Sequence, residues 1–143
     1  MAENTKQNNT PQKEEAQIMY ELRMLQAQSE QGQKQLEALQ QAAAEARNAL
    51  ATLSSLSEAK GESILPIGGG VFLKTKGIDG ASVLVEIGAG VIAEKSVAEA
   101  QKIIIERSQK LEEAVRKIAS ELERMAYIAQ QKSDELQKMR EQA

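Results

Sequence analysis

The chain has 143 residues and a formal net charge of −3 from 18 basic and 21 acidic side chains, with 2% aromatic residues and no tryptophan. That is room for about one domain but thin material for a globular core, and charges of both signs intermixed leave no field that would draw nucleic acid or an anionic membrane. The absence of both Cys and His removes disulfides, thiolate nucleophiles, Ser-His and Cys-His catalysis, and the usual zinc and haem ligands.

In chain order, Met1–Asn9 is rich in Asn, Gln and Thr without apolar periodicity, so 1–9 is expected to be a disordered tail. It lacks an apolar signal-peptide core, and no run approaches the roughly 20 apolar residues that span a bilayer. The expectation is a cytoplasmic protein without membrane attachment.

Residues 10–60 are expected to form one helix. Thr10 can cap its first N–H groups, Pro11 tolerates the first turn, Glu14 and Glu15 complement the dipole, and no proline follows until Pro66. Apolar or small residues recur at Ile18, Leu22, Leu25, Ser29, Gly32, Leu36, Leu39, Ala43, Ala46, Leu50 and Leu53. These steps of four and three are a coiled-coil seam rather than the broad stripe of a globular helix. At 1.5 Å per residue such a helix is roughly 70 Å long and cannot bury itself alone.

Residues 96–143 supply the partner. Ser96-Val97-Ala98-Glu99 is a capping box. The seam that follows runs through Val97, Gln101, Ile104, Ser108, Leu111, Val115, Ile118, Leu122, Met125, Ala129, Lys132, Leu136 and Met139. If Ala59 and Ser96 are neighbours, an antiparallel pairing sets Ser29 and Gly32 opposite Leu122 and Met125, and Ala43 and Ala46 opposite Leu111 and Ser108. Gly32 costs a helix about 1 kcal/mol relative to Ala. Lys132 interrupts the apolar seam, so the far third of the pair is expected to be its loosest part.

Residues 61–95 differ from both flanks. Strand-like runs at Ser63–Ile67, Val71–Lys76, Ser82–Ile87 and Val91–Lys95 are divided by Gly68-Gly69-Gly70, by Gly77–Ala81 and by Gly88-Ala89-Gly90. The first and last connections read as three-residue hairpin turns with glycine supplying positive φ. Two hairpins with open edges are marginal in water and invite strands from another chain.

Two motifs have chemical readings. Gly88-Ala89-Gly90-Val91-Ile92-Ala93 matches the dinucleotide fingerprint G-x-G-x-x-A, but that motif must open a helix, and the capping signal here waits until Ser96. The abundant carboxylates sit among Lys and Arg on solvated helix faces, with no pocket to desolvate a pair. No catalytic residue, metal ligand or cofactor is expected, and the chain is not expected to be an enzyme.

The more informative apolar residues lie off the seams. Met19, Tyr20 and Met24 do so near the start of the first helix, and Tyr127 and Ile128 on the returning helix; methionine in particular suits promiscuous apolar contact. Ile103 and Ile105 are also off the seam, but nearer the strands, where packing beneath the hairpins is expected.

A long helix, two hairpins containing LPIGGGVFLK (Leu65–Lys74) and VLVEIGAGVIAEKS (Val83–Ser96), and a matching return helix resemble an alpha-class subunit of the prefoldin (GimC) family over essentially the whole chain after the tail. The fold class expected is therefore α+β: a long antiparallel two-helix coiled coil joined at its base by two β-hairpins that assemble into an intersubunit β-barrel platform. The resemblance implies a hexamer of two alpha and four beta-class subunits, an ATP-independent holdase that passes non-native client proteins to a group II chaperonin. Client-binding residues expected at the far ends of the helices are Ile18, Met19, Tyr20, Leu22, Met24, Leu25, Tyr127, Ile128, Leu136 and Met139. Oligomerisation residues expected in the hairpins are Leu65, Ile67, Val71, Phe72, Leu73, Val83, Leu84, Val85, Ile87, Val91 and Ile92. The competing readings are a filament-forming coiled-coil scaffold of the same family and an enzyme using the glycine loop.

Overall fold

In the computed structural model the elements run α1 (Thr10–Glu58), β1 (Glu62–Gly68), β2 (Val71–Lys76), β3 (Val83–Gly88), β4 (Val91–Lys95) and α2 (Val97–Glu141). The structure describes residues 10–58, 61–76 and 82–142, without the side chains of 57, 58 and 65–67. The expected tail and the Gly77–Ala81 connection lie outside the described residues.

Local chemistry accounts for the long helices. Gln-to-acid hydrogen bonds four residues apart recur along both, as in Gln17 to Glu21 at 3.0 Å and Gln130 to Asp134 at 3.0 Å, each a small contribution to an exposed helical face. Near the end of α1, Thr52 and Ser55 donate their hydroxyls to carbonyls four residues back at 3.0 and 3.1 Å, a competition for backbone acceptors that weakens a helix. The capping box forms: Glu99 N donates to Ser96 Oγ at 3.1 Å and Ser96 N to Glu99 Oε2 at 3.3 Å. It fixes the start of α2 immediately after β4.

Both seams are the sides along which the helices lose solvent. Every position from Ile18 to Leu53 and from Val97 to Met139 in the two series is half-buried or buried. Deep burial is sparse: Ile18, Ala43, Val85, Val97, Ala100 and Leu122 are the buried apolar side chains among the described residues, and no polar one is buried there.

The chain divides into two units, one from the residues up to Gln40 and from Glu113 onward, the other from Gln41–Glu112. In the first unit α1 and α2 run antiparallel, with Gly32 beneath Leu122 and ion pairs joining Glu21 to Lys132 and Glu15 to Arg140. The expected placing of Gly32 near Leu122 is therefore found. The second unit holds the four strands. Its helical segments are joined by Arg47 and Glu112 at 4.0 Å, and Arg107 Nη2 donates to the carbonyl of Glu86 on β3.

The strands form two separate antiparallel pairs, β1 with β2 and β3 with β4. The expected three-residue connections are shorter, because Gly68 and Gly88 themselves join the ladders opposite Val71 and Val91 after a bulge. The turns are then Gly69-Gly70 (φ 61° and 75°) and Ala89-Gly90 (φ 49° and 76°), with positive φ at both central positions as a type I′ hairpin requires. Ala89 holds that conformation at a cost of roughly 1 kcal/mol that glycine would not incur.

Candidate functional site

Two surfaces carry what this chain can offer chemically, and the first is on the strands. In the second hairpin the pleat places Val83, Val85 and Ala93 on the face turned toward the helices, where Val85 is buried. Leu84 and Ile92 lie on the other face and are 74% and 63% exposed. An apolar groove of ≈ 390 Å³ runs where β3 meets the helices, walled by Val83, Val85, Leu53 and Ile104.

In the first hairpin, by contrast, the two faces are not distinguished by burial. Val71, Phe72 and Leu73 are each at least 50% exposed, so neither face of β2 is covered. A two-stranded ribbon has no second layer over it, and alternation in sequence becomes one-sided burial only where a layer exists. The side chains of Leu65 and Ile67 lie outside the described residues. Sequence reasoning missed Ile64, which is 62% exposed; its signal was its place inside the strand-like run Ser63–Ile67.

The second surface lies on the unit formed by the beginning of α1 and the end of α2. Tyr20, Met24 and Tyr127 stand 59%, 45% and 64% exposed, and Tyr127 Oη accepts a hydrogen bond from Gln131 at 2.9 Å. Met19 and Ile128, expected to point away from the seam, are instead half-buried. Met19 turns its sulfur toward Arg140 Nη2 at 3.9 Å. Leu22, Leu25, Leu136 and Met139 are half-buried in the seam, and Leu22, Leu25 and Met125 line an open groove of ≈ 460 Å³. Ile18 is 7% exposed, so it offers no surface while the helices stay paired. Ile103 is half-buried and Ile105 is 41% exposed, so Ile105 is not covered as expected.

Sequence reasoning had Lys132 only as an interruption of the seam and missed the ion pairs that close this end. Lys132 occupies a seam position and donates to Glu21, and Arg140 Nε donates to Glu15 Oε1 at 3.0 Å. The Lys132 ammonium against its carboxylate holds Glu21 below its ordinary pKa of 4.5, assisted by the Gln17 amide and opposed by partial desolvation. The signal was present as acidic residues flanking one seam and basic residues on or beside the other, a usual source of interhelical pairs.

The Gly88-Ala89-Gly90 segment joins β3 to β4 and opens no helix, as α2 begins only at Val97. Among the described residues no group of acidic side chains could hold a metal ion, and no helix is long and apolar enough to cross a membrane.

Against known proteins, a family model described as "Prefoldin subunit" matches residues 25–142. The chain is 35% identical over 137 residues to a prefoldin subunit alpha of Pyrococcus horikoshii, covering 92% of this chain and 90% of that one. It is 33% identical over 117 residues to a prefoldin subunit alpha of Archaeoglobus fulgidus, covering 80% and 85%. Among solved structures it is similar in fold to a chain from the cryo-EM structure of filamentous PFD from Methanocaldococcus jannaschii. There the TM-score is 0.65 at 24% identity, covering 79% of this chain and 95% of that one.

Proposed function

The chain belongs to the prefoldin family as an alpha-class subunit, and from that premise we propose that it is the assembly-directing subunit of an ATP-independent holdase. In this reading two copies join four beta-class subunits through their hairpins. Non-native chains are held at the far ends of the helices and passed to a group II chaperonin in the cytoplasm.

The observation that carries the reading is the apolar exposure of the strands. Ile64, Val71, Phe72, Leu73, Leu84, Ile87, Val91 and Ile92 are each at least 50% exposed, a concentration in about thirty residues that favours a protein interface over open solvent. Among the described residues each sheet has two strands, which leaves the outer edge of every strand without a ladder partner there. Added strands from a neighbouring subunit would satisfy those backbone groups and bury the side chains beside them.

For capture, the support is Tyr20, Met24 and Tyr127, large adaptable side chains on the helical unit far along the sequence from the strands. Several such weak sites on separate subunits would retain a client by avidity while each contact stays releasable. Release then needs competition and no hydrolysis.

End-to-end assembly into a filament is the second reading, favoured by the likeness to the filamentous PFD chain. Mass measurement with and without a beta-class subunit separates the two. A closed hetero-oligomer supports the holdase; polymers of this chain alone support the filament.

A further inference from the structure

The apolar seam of the first unit is interrupted at Lys132. On one side of it Leu122 fills the space over Gly32 and the packing is apolar. On the other, Lys132 Nζ pairs with Glu21, and eight residues later Arg140 pairs with Glu15 at 3.0 Å. Ile18 lies between the two acidic residues, three positions from each and therefore on the same helical face. It is 7% exposed, the most buried residue of this end of α1. Carrying the Gly32–Leu122 register outward by two heptads brings Ile18 level with Leu136.

Ile18 and the apolar seam residues beside it are thus flanked by an ion pair on either side. The four charged side chains are 28–56% exposed. Pairs in that setting contribute little each and are screened by salt. Lys13, Glu14 and Glu135 line the same groove as Ile18, Glu21 and Lys132. With Glu15 and Arg140 counted, this end carries more acidic than basic groups, so each basic partner has a local excess of carboxylate to hold it.

We infer that Glu15–Arg140 and Glu21–Lys132 form an ionic clasp over Ile18 whose opening presents the apolar seam residues Ile18, Leu22, Leu136 and Met139, so that ionic strength sets how often this end of the helical pair stands open. That the presented surface then engages non-native chains rests on the function proposed above. The clasp also explains how Ile18, hidden in the paired state, can join a capture surface.

The test uses the full chain, which contains no native cysteine. Ala16→Cys and Lys138→Cys place spin labels on exposed positions that the register sets level, and unlabelled chain dilutes neighbouring copies. Raising salt from about 0.1 M to about 1 M is expected to increase the widely separated population about two- to threefold, as loss of two weak pairs allows. Glu15→Gln with Glu21→Gln should show the wider distribution already at low salt and respond no further. Lys132→Leu with Glu21→Gln, which makes the seam apolar, should stay closed at both salts. Separations that ignore both salt and the paired Gln substitutions, at unchanged helix content, overturn the clasp. Aggregation suppression by the same variants is read separately: if separations respond and suppression does not, the clasp stands and the capture role of this end falls.

Discussion

A Cβ added at Gly32 would lie 2.8 Å from Leu122 Cδ2. Glycine is present mid-helix because the facing helix fills its side-chain space, and Leu122, 9% exposed, is the group that fills it. The helix-propensity loss of about 1 kcal/mol is offset by the closer packing it permits.

That relationship predicts a size-swap experiment. Gly32→Leu should destabilise by about 1–3 kcal/mol through overpacking, and Leu122→Ala by about 2–4 kcal/mol through the cavity it leaves. The double substitution should recover a substantial part of the combined loss, because the two positions share one space. Thermal unfolding followed by circular dichroism at fixed protein concentration checks this; strictly additive losses would show that the two positions do not face each other.

Glu21 predicts a pH dependence with a definite sign. Its pKa is lowered in the folded chain from the ordinary 4.5, chiefly by Lys132, so the unfolded chain binds the proton more readily. The contribution is present above pH 4.5 and is lost as pH falls through the lowered value. The stability difference between the natural chain and Glu21→Gln should therefore be seen at pH 7 and shrink to nothing in acid. Denaturation midpoints across that range test it, and a difference that grows on acidification would reverse the assignment.

On the capture surface, Tyr20, Met24 and Tyr127 are the residues presented without any opening of the helices. Replacing all three by Ser should weaken retention of an unfolded client by roughly tenfold, as three losses of about 0.5 kcal/mol each would. The mass of the assembly should not change. Suppression of client aggregation by the purified assembly is the readout, and unimpaired suppression would place client binding elsewhere.

The helical part of this fold was legible because a seam in steps of four and three has few alternative readings, and because Ser96 and Glu99 announce the return helix within four residues. The hairpins were legible from their glycines, but the bulges before Gly68 and Gly88 and the left-handed Ala89 were not, since no residue type there demands them. The width of the helical contact was also hidden. A seam divides residues into facing and not facing, whereas Met19 and Ile128 sit beside it and are half covered. Lys132 was visible as an interruption, but its partner Glu21 depended on which flank the antiparallel register brings across.

The central claim is that the exposed strands are the assembly surface, and native mass spectrometry of this chain mixed with a beta-class prefoldin subunit tests it most directly. The prediction is one closed species with two copies of this chain and four of the partner, from which a Leu84→Asp, Ile92→Asp variant is excluded while keeping its helical circular-dichroism signal. A natural chain that stays monomeric beside the partner, or a variant that still assembles, would contradict it.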